Sequence, residues 1–104
     1  MRATRVCSVD DVAPGTAQRF VVGAHPLCVV RIGEDWYAIG DICSHAEVSL
    51  SEGEVDPVTR QIECWKHGSS FSLATGQPDS LPATKPVPTY RVRVDGDDVL
   101  VEVP

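Results

Sequence analysis

Apolar and polar positions alternate over short windows at both ends of the chain. "TRVCSV" (4–9), "QRFVVG" (18–23), "PLCVVRI" (26–32) and "DWYAIG" (35–40) are rich in β-branched and aromatic residues, with "APGT", "GAH" and "IGED" between them. Runs of this kind suit a pleated, half-buried surface, and their close succession predicts consecutive antiparallel strands. The other end is cleaner: "PTYRVRV" (88–94) and "VLVEV" (99–103) alternate on either side of "DGDD" (95–98), which predicts a hairpin. From 41 to 87 the alternation breaks up, and Gly53, Asp56-Pro57, Gly68, Gly76 and prolines 78, 82 and 86 take over. No window holds a helical period or an internal repeat. The expected architecture is all-β, with a base built from 1–40 and 88–104 and an inserted loop-rich section over 41–87. At 104 residues this is one domain, 1–104, with a single core.

Charge narrows the partners. The formal net charge is −6 and the pI about 4.8, so the surface repels phosphate backbones and anionic membranes and favours basic protein surfaces. Neither nucleic acid nor membrane is expected as a ligand. No apolar run approaches the roughly 20 residues that cross a bilayer, and "MRATRVCSVDDV" carries no hydrophobic stretch after its charges. The expectation is a cytoplasmic protein. In that reducing compartment four cysteines read as thiols or metal ligands rather than as two disulfides.

Cysteine and histidine occur in two matched pairs, "CSH" at 43–45 and "CWKH" at 64–67, with eighteen residues between them. Thiolate is a soft anionic ligand and neutral imidazole a borderline one, so two of each suit zinc, copper or an iron–sulfur cluster. Cys-x-His places two side chains on one side of an extended loop, and Cys-x-x-His brings them together across a turn. Each loop therefore offers one sulfur and one nitrogen. One tetrahedral metal could take all four, but zinc modules usually group cysteine with cysteine and histidine with histidine. Mixed pairs suit a two-metal cluster better, one metal taking both sulfurs and the other both nitrogens.

The whole pattern, C-x-H, a spacer of eighteen, then C-x-x-H-G, resembles the Rieske [2Fe–2S] signature. The likeness extends over "GDICSHAEVSLSEGEV", "IECWKHGSSFSLATGQP" and "LPATKPVPTYRVRVDGDDVLVEV", and is closest to the bacterial Rieske ferredoxins of multicomponent aromatic ring-hydroxylating oxygenases. This resemblance implies a Rieske-like antiparallel β-sandwich or barrel base with an inserted cluster-binding subdomain at 41–87. It implies one [2Fe–2S] cluster, with Cys43 and Cys64 on the buried iron and His45 and His67 on the outer iron. It further implies a one-electron carrier, a monomer with no substrate of its own, accepting from a flavin- and NAD(P)H-dependent reductase and donating to a terminal oxygenase. Three alternatives stay open: a zinc-binding structural module using the same four residues, a Rieske-type small subunit or accessory of another redox or iron–sulfur assembly system, and a purely structural β-domain without metal, which leaves the paired spacing as coincidence.

Relatives in respiratory and photosynthetic cytochrome complexes carry a serine two residues and a tyrosine four residues after the second histidine, hydroxyls that stabilise the reduced state. Those positions here are Ser69 and Phe71, which implies a potential in the lower part of the range of about −150 to +300 mV. The cysteines that brace the two loops of those relatives are also absent, since Glu47, Val48 and Lys66 occupy the neighbourhood. Cys7 and Cys28 read as buried thiols of the base. His25, in "GAHPL", reads as an exposed turn residue. With one histidine to spare, the chain lacks the two needed for the mononuclear iron of a terminal oxygenase. Trp36 reads as core, while Trp65 is either a shield or a docking residue. Pro82, Pro86 and Pro88 are expected to stiffen a loop over the cluster. Glu47, Glu52, Glu54 and Asp56 form a solvated acidic face able to steer a basic partner.

Overall fold

A computed structural model describes residues 2–43, 48–66, 68–79 and 85–103. Nine strands run through them in chain order: β1 Arg2–Ser8, β2 Thr16–Val22, β3 His25–Ile32, β4 Asp35–Gly40, β5 Glu54–Asp56, β6 Gln61–Glu63, β7 Ser70–Ser72, β8 Thr89–Asp95 and β9 Asp98–Val103. Six form an antiparallel sheet in the order β1-β9-β8-β4-β3-β2, and three form a smaller sheet, β5-β6-β7. The all-β expectation holds. No helix among the described residues is long and apolar enough to cross a membrane.

Three hairpins of the large sheet close through two-residue loops, Gly23-Ala24, Gly33-Glu34 and Gly96-Asp97, each opening on a glycine with positive φ. A loop of this hand matches the twist of the strands that it joins. The succession β2, β3, β4 is antiparallel as the alternation predicts, but β1 does not pair with β2. It pairs with β9, Arg2 opposite Val103. The link from Ser8 to Thr16 holds a 3₁₀ turn and Pro14 rather than a tight turn, and Arg31 Nη1 pins it by donating to the carbonyls of Val9 (3.0 Å) and Val12 (3.2 Å).

Strand β3 explains where the core lies. Its residues Leu27 to Val30 are all fully buried, so "LCVV" does not alternate in exposure. It alternates between two cores instead, as a strand covered on both faces does. Leu27 and Val29 pack with Ala38, Val101 and Val103. Cys28, Val30 and Ile32 point the other way and pack with Ile39, Cys43, Leu50, Ile62, Cys64, Phe71, Leu73 and Val87. This second core joins the large sheet to the residues of the small one.

Over 54–79, loop chemistry predicts no regular structure, yet the chain there is a meander. β6 pairs with β5 on one side and with β7 on the other, Ile62 opposite Val55 and Phe71. The strands are too short for a period of two to register in sequence. Three five-residue turns recur at intervals of eight: Arg60 N–H donates to Asp56 C=O (2.9 Å), Gly68 N–H to Cys64 C=O (2.9 Å) and Gly76 N–H to Ser72 C=O (2.7 Å). The donor in each has positive φ. Arg60 holds that conformation without being glycine, and its side chain reaches β4, where Nη1 lies 2.8 Å from Asp35 Oδ2 and 3.3 Å from the Tyr37 hydroxyl. The small sheet is thereby tied to the large one.

Two predictions follow from this packing. A Cβ on Gly53 would lie 1.7 Å from the Glu63 carbonyl oxygen, at a φ of −83° that any residue adopts. Gly53→Ala is therefore a purely steric insult, and denaturant unfolding is expected to show a loss of roughly 3 kcal/mol, at the upper end of overpacking. Burial pushes the Cys28 thiol far above its ordinary value of about 9, helped by the Asp41 charge. The unfolded thiol ionises above pH 9 while the native one does not, so stability from this group is complete below pH 9 and declines above it. Wild-type protein should lose about 1.4 kcal/mol per pH unit more than Cys28→Val between pH 10 and 11, measured by unfolding at matched ionic strength.

Candidate metal centre

The first Cys/His loop is the end of a short hairpin. As β4 finishes, Asp41 N–H donates to Pro26 C=O (3.1 Å), and the outgoing and returning chains are held by Leu50 N–H to Asp41 C=O (2.6 Å), an antiparallel bridge between Ile42 and Ser49, and Cys43 N–H to Val48 C=O (3.0 Å). Alternation along this extended segment turns Cys43 inward at 4 % exposure and leaves Ile42 40 % exposed on the other side. Residues 44–47, His45 among them, lie outside the described residues.

The second loop follows the same plan. Glu63 pairs with Ser70 across β6 and β7, and Cys64 N–H then donates to Ser69 C=O at 2.7 Å. Cys64 is fully buried, while Trp65 and Lys66 are exposed. Gly68 at φ +77° lets the chain return within four residues, a conformation that costs glycine little. This is the physical reason for a glycine directly after Cys-x-x-His. His67 lies outside the described residues.

Each cysteine thus occupies the last position before its hairpin tip, and both thiols enter one apolar core with Leu50, Ile62, Phe71, Leu73 and Val87. All four cysteines of the chain are thiols. Two buried sulfurs with an apolar lining suit a metal whose charge the thiolates cancel. Among the described residues no three ligating side chains converge, because the predicted set has its two nitrogens at positions 45 and 67.

Ser69 and Phe71, the two tuning positions, are both fully buried, and Phe71 belongs to the same core as Cys43 and Cys64. Val48 packs against that core from the first loop. Trp65 is 55 % exposed. Trp36 is half-buried beneath Arg31, whose guanidinium carbon lies 5.3 Å from its ring centre. Pro86 and Pro88 are exposed and flank buried Val87, whose N–H donates to Gly76 C=O (2.9 Å). Val87, rather than either proline, enters the core, and Pro82 lies outside the described residues. Cys7 and Cys28 are buried thiols, as expected. His25 departs from its expected place: it opens β3 and sits half-buried, edge-on to Tyr90 at 6.2 Å, because the turn closes one residue earlier at Gly23-Ala24. Glu52, Glu54 and Asp56 are exposed, and Glu54 stands directly opposite Glu63. Glu47 lies outside the described residues.

Sequence reasoning missed Asp41. It is fully buried, and its carboxylate accepts hydrogen bonds from the Ser49 hydroxyl and the Ser51 N–H (2.9 Å), with Arg19 Nε 3.4 Å away. The signal was available in the aspartate two positions before Cys43 and in Ser-x-Ser at 49–51, where the chain returns.

The family model of the Rieske [2Fe-2S] domain matches residues 2–91. The ferredoxin component of biphenyl 2,3-dioxygenase from Rhodococcus jostii (strain RHA1) is 41% identical over 103 residues, which are 99% of this chain and 94% of that protein. The ferredoxin of carbazole 1,9a-dioxygenase from Nocardioides aromaticivorans superposes with a TM-score of 0.93 at 40% identity, covering 97% of each chain. A further likeness, with a TM-score of 0.86 and 43% identity over 95% of this chain and 91% of the other, is to a solved complex of reduced oxygenase and oxidized ferredoxin in carbazole 1,9a-dioxygenase. With two buried thiols at the mouths of paired hairpins and a family match running from residue 2 to residue 91, the chain belongs to the Rieske [2Fe–2S] family and carries one such cluster.

Proposed function

We propose that this protein is the ferredoxin of a multicomponent ring-hydroxylating oxygenase, a one-electron carrier rather than a catalyst. It takes electrons from a flavin- and NAD(P)H-dependent reductase and passes them to a terminal non-heme iron oxygenase, as a cytoplasmic monomer. In this reading residues 1–40 and 88–104 are the base and 41–87 the cluster-binding subdomain. Cys43 and Cys64 hold the inner iron, and His45 and His67 hold the outer one. The single observation that supports the reading most is the placing of Cys43 and Cys64 in one core, each with its N–H bonded to the returning chain and each followed within three residues of sequence by a histidine. The partner is supported by the relatives' names and by the complex between a similar ferredoxin and its oxygenase.

The cluster supplies a reversible Fe³⁺/Fe²⁺ couple. Two ferric ions and two sulfides carry a charge of about +2, which two thiolates cancel and four would over-cancel, so neutral imidazoles raise the potential. The protein's own residues do the rest. The apolar core around Cys43 and Cys64 keeps water from the sulfur end, and the Cys43–Val48 and Cys64–Ser69 backbone bonds fix where the two thiols enter it. Exposed Trp65, next to Cys64, and exposed Ile42, next to Cys43, give a partner apolar footholds beside the ligand loops. Acidic Glu52, Glu54 and Asp56 steer a basic surface towards them.

The purified protein should be brown, contain two irons and two sulfides per chain, and give a rhombic EPR signal after reduction. Replacing His45 and His67 together by alanine should abolish that signal. A colourless protein with one zinc would establish the structural module instead. Phe71→Tyr introduces a hydroxyl beside the thiol core, and voltammetry should show a higher midpoint by tens of millivolts, the equivalent of a hydrogen bond of about 1 kcal/mol. An unmoved midpoint would rule out this explanation of the low potential.

A further inference from the structure

Asp41 is the only buried acid among the described residues, and every polar group it carries is engaged. Its N–H donates to Pro26 and its carbonyl accepts from Leu50. Carboxylate Oδ2 accepts the Ser49 hydroxyl and Oδ1 the Ser51 N–H, while the two serine hydroxyls lie 2.7 Å apart. Ser49 donates to Asp41, so it is the acceptor from Ser51. These bonds tie the outgoing strand of the first hairpin to its return. Arg19 supplies the nearest cation, with its Nε 3.4 Å from Oδ2 and its side chain 51% exposed against 0% for Asp41. The compensation is lopsided: the anion is in the core and the cation at the rim.

Asp41 stands two residues before Cys43, so their Cα atoms are separated by at most about 7 Å. Its N–H is bonded to Pro26 in β3, the strand that carries Cys28 into the core of Cys43 and Cys64. We propose that Asp41 and Arg19 are a charge pair that sets the reduction potential of the centre, Asp41 lowering it and Arg19 limiting that effect. The inference rests on the assignment of Cys43 as a cluster ligand. Reduction adds one negative charge, and a fixed anion within about 10 Å in a medium of effective dielectric near 20 shifts such an equilibrium by roughly tenfold. Asp41 is therefore a positioning residue for the first hairpin and, separately, an electrostatic restraint on reduction.

The test is the midpoint potential of Asp41→Asn, Arg19→Gln and Arg19→Lys, each with its visible spectrum recorded first, so that loss of the centre, which bears on the ligand assignment, is read separately from a shifted midpoint. Asp41→Asn should rise by about tenfold in the reduction equilibrium, near 59 mV for one electron. Arg19→Gln should fall by about threefold, and Arg19→Lys should return close to wild type. The Asp41→Asn shift should persist at 1 M salt, where the screening length is about 3 Å, while any shift from a surface control, Glu52→Gln, should vanish. A purely structural role predicts no opposite signs and no rescue by lysine. If Asp41→Asn fails to keep the centre, the Arg19 variants decide alone. An Arg19→Gln midpoint that is unchanged or raised, or an Asp41→Asn midpoint that is not raised, overturns the proposal.

Discussion

The fold depends on two backbone hydrogen bonds, Cys43 N–H to Val48 C=O and Cys64 N–H to Ser69 C=O. Each closes a hairpin directly at a thiol, so each sulfur is fixed by main-chain geometry and not by the rotamer of a long side chain. Both bonds are local in sequence, five residues apart in each case. Val48 and Lys66 stand near the places where other Rieske proteins carry bracing cysteines. Val48 and Val87 pack on the thiol core, and the Asp41 carboxylate fastens the returning strand through Ser49 and Ser51.

The two sheets meet through one strand. β3 gives Leu27 and Val29 to the base and Cys28, Val30 and Ile32 to the thiol core, so a shift of β3 would move both. Arg60 fixes the small sheet from the opposite end, reaching Asp35 and Tyr37 while its carbonyl accepts the Leu73 N–H at 2.9 Å. A non-glycine residue in the left-handed region carries a conformational cost of around 1 kcal/mol. Here the arginine side chain offsets it by linking the sheets, a gain that glycine could not supply.

Legibility in sequence follows strand length and ligand chemistry. β8 and β9 are visible because seven and six residues alternate around a glycine turn, and β3 is visible as an unbroken apolar run. The partner of β1 was not legible, since nothing local to 4–9 encodes a pairing with residues more than ninety positions away. β5, β6 and β7 are three residues each, shorter than any window that reveals a period. The eight-residue recurrence of their turns is carried by Asp56, Cys64 and Ser72 and by Arg60, Gly68 and Gly76, whose side chains have little in common beyond the final glycines. The Cys/His pairs at 43–45 and 64–67 stand out in sequence because metal ligation restricts residue type severely, and of these residues the structure places Cys43 and Cys64 in one core. Asp41 does not stand out, because a buried aspartate is recognised only by its neighbours, and those lie at 19, 49 and 51.

Asp41 also shows why the site is divided in polarity. Thiolates can be buried beside a metal because the metal cancels them, but a carboxylate in the same region needs donors of its own. Ser49, Ser51 and, at the rim, Arg19 supply them. A fully apolar substitute at position 41 would leave the Ser51 N–H without its acceptor and the hairpin unfastened, so the acid is the residue that permits a tight return beside the ligand. The electrostatic consequence comes with that structural need: closing the loop with a carboxylate places a negative charge near the centre. In the proposed reading a hydroxyl-free Phe71 and the carboxylate of Asp41 would act in the same direction on the centre, one by withholding a hydroxyl and the other by supplying a charge.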